Sequence, residues 1–408
     1  MKRIYVVGTM DTKAEELRYV QSLIQSTGAR SILADVSTRA YAGEVDVTAR
    51  EIAAFHPQGA DAIVGNHDRG DAVTAMSEAF RRYVLSRKDV AGMIGLGGSG
   101  GSAIISAGMQ ALPVGVPKLL VSTLAATHAG PYIGATDVTL MYPVTDIAGL
   151  NRISRVVLGN AAHAIAGMAR HEAPTLSSRP SIGLTMFGVT TACVTAVTKA
   201  LHSEYDCLVF HATGTGGQSM EKLVDSGFLD GVIDVTTTEI CDLIVGGVLS
   251  AGPERLDAIA RTGIPYVGSC GALDMVNFWA PETIPQAFRQ RLFHRHNPQV
   301  TLMRTSVDEC ARIGSWIGEK LNACHGPVRF LLPEKGVSAL DAPGEVFHDP
   351  EADAALFAAL ENSIQQTPQR HLVRLPLHIN DPQFADVLRD HFLEIRQSMK
   401  KKPTDAGH

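Results

Sequence analysis

The sequence predicts an α/β protein of two doubly wound, Rossmann-like domains with parallel sheets. Three observations predict it. Apolar strand-like runs alternate with helical patterns from end to end, and glycine- and threonine-rich turns follow the strands. The 408 residues are also too many for one compact core but suit two. The domains are expected at 1–175 and 181–408.

In the first domain the strands read as Ile4–Val7, Ser31–Asp35, Ala91–Leu96 and Lys118–Ser122, with a further one near Val138–Tyr142. Helices read as Ala14–Ser26, Asp71–Ser86, Ser102–Ala111 and Asn151–Arg170. The first of these places Leu17, Val20, Leu23 and Ile24 on one face. The polar segment from His171 to Pro180, with prolines at 174 and 180, reads as the boundary. Beyond it, strands read as Ser181–Met186, Cys207–His211, Gly231–Val235, Tyr266–Gly268, Val328–Leu332 and Leu372–Leu375. Lys400, Lys401 and Lys402 read as a frayed, solvated tail. No close internal sequence repeat is evident.

Composition narrows the function classes. Apolar residues make up 45% of the chain and charged residues 19%, with a net charge of −6 and no basic stripe. That argues against nucleic acid as the main partner. The six cysteines show no CxxC spacing and read as reduced thiols of a cytoplasmic protein. The chain opens on a strand rather than a signal peptide, and no apolar run approaches the ~20 residues of a membrane span.

The stretch Leu96–Ser102 carries the sharpest chemical signal, with four glycines in seven residues. A strand, a glycine turn and a helix start leave backbone N–H groups pointing at an anion. Gly97, Gly98, Ser99, Gly100, Gly101 and Ser102 are therefore candidate phosphate-binding residues; a tight turn with no ligand is the alternative. Gly8, Thr9, Asp11, Thr12 and Lys13 follow the first strand and supply a turn, hydroxyls, a cap and a cation. The order of a Walker A loop is absent. Asp35 and Ser37 stand at the end of the second strand, where a doubly wound domain can hold a ribose hydroxyl. Arg69 can pair with phosphate, or with a surface carboxylate.

The second half has its own polar loops. They hold His211, Thr213, Gly214, Gly216, Gly217 and Cys270 as candidate substrate-binding residues, and Glu239, Asp274, Glu334 and Lys335 as candidate catalytic acid–base groups. Caps and surface ion pairs account equally for any one of them. Cys270 also fits a small buried thiol. No metal site is expected, although His294, His296 and His378 leave the question open. The run Met275–Ala280 reads as an apolar interface segment, with a core location as the alternative.

These motifs carry a family resemblance. GTMDTK from Gly8 with EELR after it, DRG from Asp68, GLGGSGGS from Gly95, YIGATD from Tyr132, TMFGVTT from Thr185 and VFHATGTGGQSME from Val209 are long and specific. DVTTTE, GALDMVNF, LPEKGVSALDAPG and HIND continue them in order. Over its full length the chain resembles the uncharacterised protein family built around the ATP-binding domain of the tomato mosaic virus resistance protein. The resemblance implies ATP as cofactor, with or without Mg, bound in the N-terminal half, and a homodimer. It also implies that the chain lacks the C-terminal barrel-like domain of the plant protein. Bacterial and fungal members have no firmly assigned reaction, and the plant protein's role, binding a viral replication protein, is not carried over. Two readings follow. One is a metabolic enzyme that uses or senses ATP, with a small-molecule substrate at the domain cleft. The other is an ATP-bound scaffold or regulatory protein that binds a protein partner.

Overall fold

Alternate residues of the first strand enter two different cores. Along β1 (Arg3–Gly8), Tyr5 and Val7 join one apolar cluster while Ile4 and Val6 join another. This is the period of a strand covered on both faces. The computed structural model describes residues 2–63, 68–171 and 179–400. The chain divides into two units, Met1–Leu176 and Ser177–His408. Most of the segment read as the boundary, residues 172–178, lies outside the described residues, as do Lys401 and Lys402.

The first unit continues through α1 (Met10–Ser26), β2 (Ser31–Asp35), α2 (Ala49–Ala53), α3 (Arg69–Leu85), β3 (Val90–Gly97) and α4 (Ser99–Ala111). It is completed by β4 (Lys118–Ser122), α5 (Gly130–Ile133), β5 (Thr139–Met141) and α6 (Arg152–Arg170). The five strands pair in parallel in the order β2-β1-β3-β4-β5. Helices α1 and α6 cover one face, through Leu17, Val20, Ile24, Leu158 and Ile165. Helices α3 and α4 cover the other, through Met76, Phe80, Ile104 and Ile105. The strand order reverses between β1 and β3, so the loops after these two strands flank a crevice at the carboxyl edge. That is where open α/β sheets receive ligands.

The second unit runs β6 (Ser181–Met186), α7 (Thr191–Leu201), β7 (Asp206–His211), α8 (Thr215–Asp225), β8 (Gly231–Thr236), α9 (Glu239–Val245), α10 (Asp257–Thr262) and β9 (Tyr266–Gly271). Then come β10 (Met275–Phe278), β11 (Phe293–Asn297), β12 (Val300–Arg304), α11 (Val307–Asn322), β13 (Val328–Pro333), α12 (Pro350–Ser363), β14 (Arg370–Leu375) and α13 (Pro382–Lys400). Six strands form a parallel sheet in the order β7-β6-β8-β9-β13-β14. Counted from β6, this sheet starts with the same 2-1-3-4-5 order as the first unit. The two units therefore share a topology that their sequences do not display.

Strands β10, β12 and β11 form a separate antiparallel sheet that the sequence reading did not foresee. All of β10 is buried, and Met275, Val276 and Phe278 belong to core clusters. The run Met275–Phe278 is thus core rather than an exposed interface segment; Trp279 beyond it is exposed. The six cysteines are free, and all but the half-buried Cys207 are buried. Among the described residues, no helix is long and apolar enough to cross a membrane.

Candidate functional site

Among the helices that start from glycine- or threonine-rich turns at the carboxyl edges, α1, α8 and α4 differ in what satisfies the N–H groups of their first turns. A helix leaves its first four amides without an internal partner. At α1, Asp35 Oδ1 accepts from the Met10 amide at 3.1 Å and Ser37 Oγ accepts from the Asp11 amide at 3.2 Å. At α8, Glu239 Oε1 accepts from the Gly214 and Gly217 amides at 2.7 and 3.0 Å. Each of these helix starts already holds an acid, Asp35 from the end of β2 at α1 and Glu239 from the first turn of α9 at α8. At α4 no side chain caps the helix, and the first amide with a partner is Ser102, which donates to Gly98 O. The Ser99, Gly100 and Gly101 amides have no partner among the described residues.

The surroundings of this open helix start suit an anion. A side chain on Gly98 would meet nothing within 4 Å, so the space beside it is free. The Arg69 guanidinium, exposed at the start of α3, lies 3.8 Å from where a Gly100 Cβ would stand. Thr9, the last residue before α1, lies 3.8 Å from the corresponding point on Gly101. Backbone donors, helix dipole and guanidinium all favour negative charge. The structure therefore brings together Thr9, Arg69, Gly98, Ser99, Gly100 and Gly101 at the β1–β3 crevice. Gly97 serves packing, because a Cβ there would stand 2.5 Å from the Ser102 amide. Ser102 is buried, with its hydroxyl 2.7 Å from that of Ser122.

The rest of the first loop is engaged elsewhere. Helix α1 begins at Met10, so Asp11, Thr12 and Lys13 are its first turn rather than a loop. The Lys13 ammonium donates to Ile147 O at 2.6 Å and pins the chain after β5. Gly8 is needed because the Leu17 side chain occupies the place of its Cβ, at 2.7 Å. Asp35 is buried and accepts from the Met10 amide, the Ser37 amide and the Ser37 hydroxyl. Burial pushes its carboxyl up. Asp35 caps α1, which is a different task from holding a ribose. Ser37 Oγ, its proton directed at Asp35, lies 3.2 Å from Asp11 Oδ1. Thr12 is exposed, with its hydroxyl 2.9 Å from that of Thr9.

In the second unit the predicted acid–base residues do not share an open pocket. Glu239 is buried, and its other oxygen accepts from Arg255 Nε at 3.1 Å. The same guanidinium donates to Asp234 Oδ1 at 2.7 Å and Glu221 Oε1 at 3.2 Å. One buried arginine thus gathers three carboxylates, and Glu221 further accepts from the Leu256 and Ala258 amides. Burial raises the Glu239 and Glu221 carboxyls, and Arg255 opposes the rise. Gly217 lacks a side chain because the Glu239 carboxylate stands in its place, and Gly214 takes φ +86° to turn into α8. Gly216 is crowded by the His211 carbonyl. No periodicity or motif marks Arg255, a lone cation in a loop.

Asp274 is fully buried, and its Oδ2 accepts from Ser338 Oγ at 2.7 Å. Glu334 and Lys335 are exposed, with Glu334 accepting from Arg374 Nε at 2.8 Å. Cys270 is buried, which drives its thiol far up and keeps it protonated. His211 is exposed, with its ring 5.4 Å from that of Phe187. Burial lowers its imidazole. Thr213 Oγ1 donates to His211 O at 3.3 Å. His294 stacks edge-on to Phe347, and His296 lies near Gly188. His378 Nδ1 accepts from the Asn380 amide, which leaves Nε2 to donate to Ser338 O at 2.9 Å. Among the described residues, no group of three His, Cys, Asp or Glu is placed to hold a metal ion.

Two parallel doubly wound units, one with an open anion-type helix start, define the class. Residues 2–174 match the N-terminal domain, and 179–396 the C-terminal domain, of the uncharacterised protein family UPF0261; the chain belongs to that family. A UPF0261 protein of Rhizobium meliloti is 61% identical over 95% of this chain and 97% of its own length. The ToMV resistance protein Tm-1(GCR237) of Solanum lycopersicum is 44% identical over 96% of this chain, which spans 56% of that protein. The ToMV susceptible protein tm-1(GCR26) of the same plant is 42% identical over the same shares. Similarity at this level does not separate the resistant from the susceptible form. Among solved structures, a Streptomyces glycosyltransferase complexed with thymidine diphosphate aligns over 66% of this chain and 82% of its own. Its sequence identity is 11% and its TM-score 0.18, and nothing further rests on it.

Proposed function

We propose that this protein binds a nucleotide, ATP, through its phosphates at the N-terminus of α4. The observation that carries the reading is the contrast among helix starts: an acid already accepts from first-turn amides of α1 and α8, through Asp35 and Glu239, while no side chain accepts from the Ser99, Gly100 and Gly101 amides. Arg69 supplies the counter-charge and Thr9 a hydroxyl on the facing loop. The residues present fit a phosphate group, because Gly98 leaves room where a side chain would fill the cradle. If Mg accompanies the nucleotide, Asp11 and Thr12 are the exposed oxygen donors on that rim.

The family resemblance extends this reading to a cytoplasmic homodimer. Whether the protein acts on a small-molecule substrate or on a protein partner turns on the second unit. There the burial of Glu239 and Asp274 favours the regulatory reading over a second catalytic centre built from those acids. Calorimetry of the full chain with ATP tests the core of the proposal. The expected result is a single saturable site; absence of binding, with or without Mg, overturns it. A time course of ATP consumption then separates an enzyme from a nucleotide-bound regulator, and light scattering reports the dimer.

A further inference from the structure

Away from that site, the connection 334–349 between β13 and α12 is long for a structureless segment, and such loops are commonly functional. Its middle, residues 343–346, is exposed, yet its flanks reach into a buried polar cluster. Arg304, at the end of β12, holds it down: Nε donates to Phe347 O at 2.8 Å and Nη2 to Asp349 O at 3.3 Å. The same Nη2 donates to Asp353 Oδ1 at 2.8 Å and lies 3.9 Å from Asp341 Oδ1. From the strap itself, the Val337 amide donates to Asp341 Oδ2 and the Ser338 hydroxyl to Asp274 Oδ2.

The cluster does not balance as three carboxylates. Asp274, Asp341 and Asp353 are all buried around one guanidinium. Asp274 Oδ1 and Asp341 Oδ1 are inaccessible and have no hydrogen-bond donor. Of the remaining neighbours, His378 donates through Nε2 to Ser338 O of the strap and accepts at Nδ1 from the Asn380 amide. His348 Nδ1 stands 3.9 Å from Asp341 Oδ1 and is one-third exposed, and Cys241, Cys270 and Cys310 are thiols that burial holds protonated. A buried, unpaired carboxylate takes up a proton rather than persist as a charge. The missing donor to Asp341 Oδ1 is therefore a carboxylic acid proton on Asp353.

We propose that the strap 334–349 is a proton-locked lid: the proton on Asp353, facing Asp341 of the strap, keeps it down on Arg304, and its loss to water frees it. Burial together with the like charge of Asp341 raises both Asp274 and Asp353 well above the usual carboxylate range, in the direction the lid requires. Beneath it lie the Arg304 guanidinium, the Asp353 side chain and Asp274, which follows β9 at the carboxyl edge of the second sheet, the edge where such sheets take ligands.

Hydrogen exchange read by mass spectrometry on the full chain tests this, with rates corrected for the intrinsic effect of pH. Peptides from 336–349 are expected to exchange at least about tenfold faster at about pH 9 than at about pH 6, while α11 peptides keep their protection. The Asp353→Asn variant mimics the protonated acid, with an amide to donate to Asp341 and a carbonyl to accept from Arg304. Its strap is expected to stay protected at the higher pH. Equal strap protection in the wild type at both pH values overturns the proposal, as does an Asp353→Asn strap that opens with pH as the wild type does. Should that variant not fold, the wild-type series alone decides.

Discussion

Gly98→Val separates the anion-binding role of the glycine turn from its role in folding. Gly98 has φ −82° and ψ −161°, an extended conformation that valine adopts readily, and its Cβ would meet nothing within 4 Å. The fold should survive, losing about 1 kcal/mol because valine is a poorer N-cap residue than glycine. In a unit of this size that lowers the melting point by about 2–4 °C. Binding should suffer more, because the new methyl groups enter the space left open beside the free amides. Each charge-assisted N–H···O bond to a phosphate contributes about 1.5–3 kcal/mol. Losing one reduces ATP affinity about 10- to 100-fold, and losing all of them abolishes binding. Calorimetry and a melting curve on the same preparation read both effects. Gly97→Ala is the contrast, since its Cβ would stand 2.5 Å from the Ser102 amide and should damage the fold directly. A folded Gly98→Val protein with unchanged ATP affinity would refute the reasoning.

Other outcomes follow from the same geometry. Arg69→Ala should weaken ATP binding roughly 10-fold or more and flatten its salt dependence, with the melting point nearly unchanged, since Arg69 is exposed. Glu239→Gln keeps an acceptor for the Gly214 and Gly217 amides but removes a charge from buried Arg255, so it should destabilise by about 3 kcal/mol in chemical denaturation. A fully stable variant that lost only activity would instead favour a catalytic role. The pH dependence has a definite sign. Burial raises Asp242 and Asp274 to about 7 and Asp353 to about 8, so in the folded protein each keeps its proton where the unfolded chain has lost it. Their contribution is fully present below the unfolded value near 4. It is lost as pH rises through about 7–8, at up to about 1.4 kcal/mol per pH unit for each group. Denaturation of the second unit from about pH 5 to 8 should show falling stability, and Asp274→Asn should flatten that fall.

The strands and the glycine turn were legible because their signals are local. Ser31–Asp35, Lys118–Ser122 and Ser181–Met186 occur as expected from apolar runs bounded by polar turns. Helices α1 and α4 begin a few residues earlier than the periodicity indicated, since their first turns carry Asp11, Thr12, Ser99 and Gly100 instead of apolar residues. The antiparallel sheet was missed because β11, with sequence FHRHN, is largely polar, and β10 looked like a surface patch. The fate of the acids could not be read locally at all. Asp35 and Glu239 sit where ligand-binding acids sit, yet the helix-start amides they accept from lie 25 and 22 residues away or more in sequence. Arg255 and Arg304 decide the chemistry of the second unit, and both are single residues whose partners are assembled only by the fold.

A crystal structure of the full chain grown with ATP and Mg tests the open helix start most directly. The expected result is phosphate oxygens within hydrogen-bond distance of the Ser99, Gly100 and Gly101 amides, with the Arg69 guanidinium on the same group and Asp35 and Glu239 still capping α1 and α8. Phosphates bound at another helix start, or a saturated protein whose α4 amides meet only solvent, would contradict it.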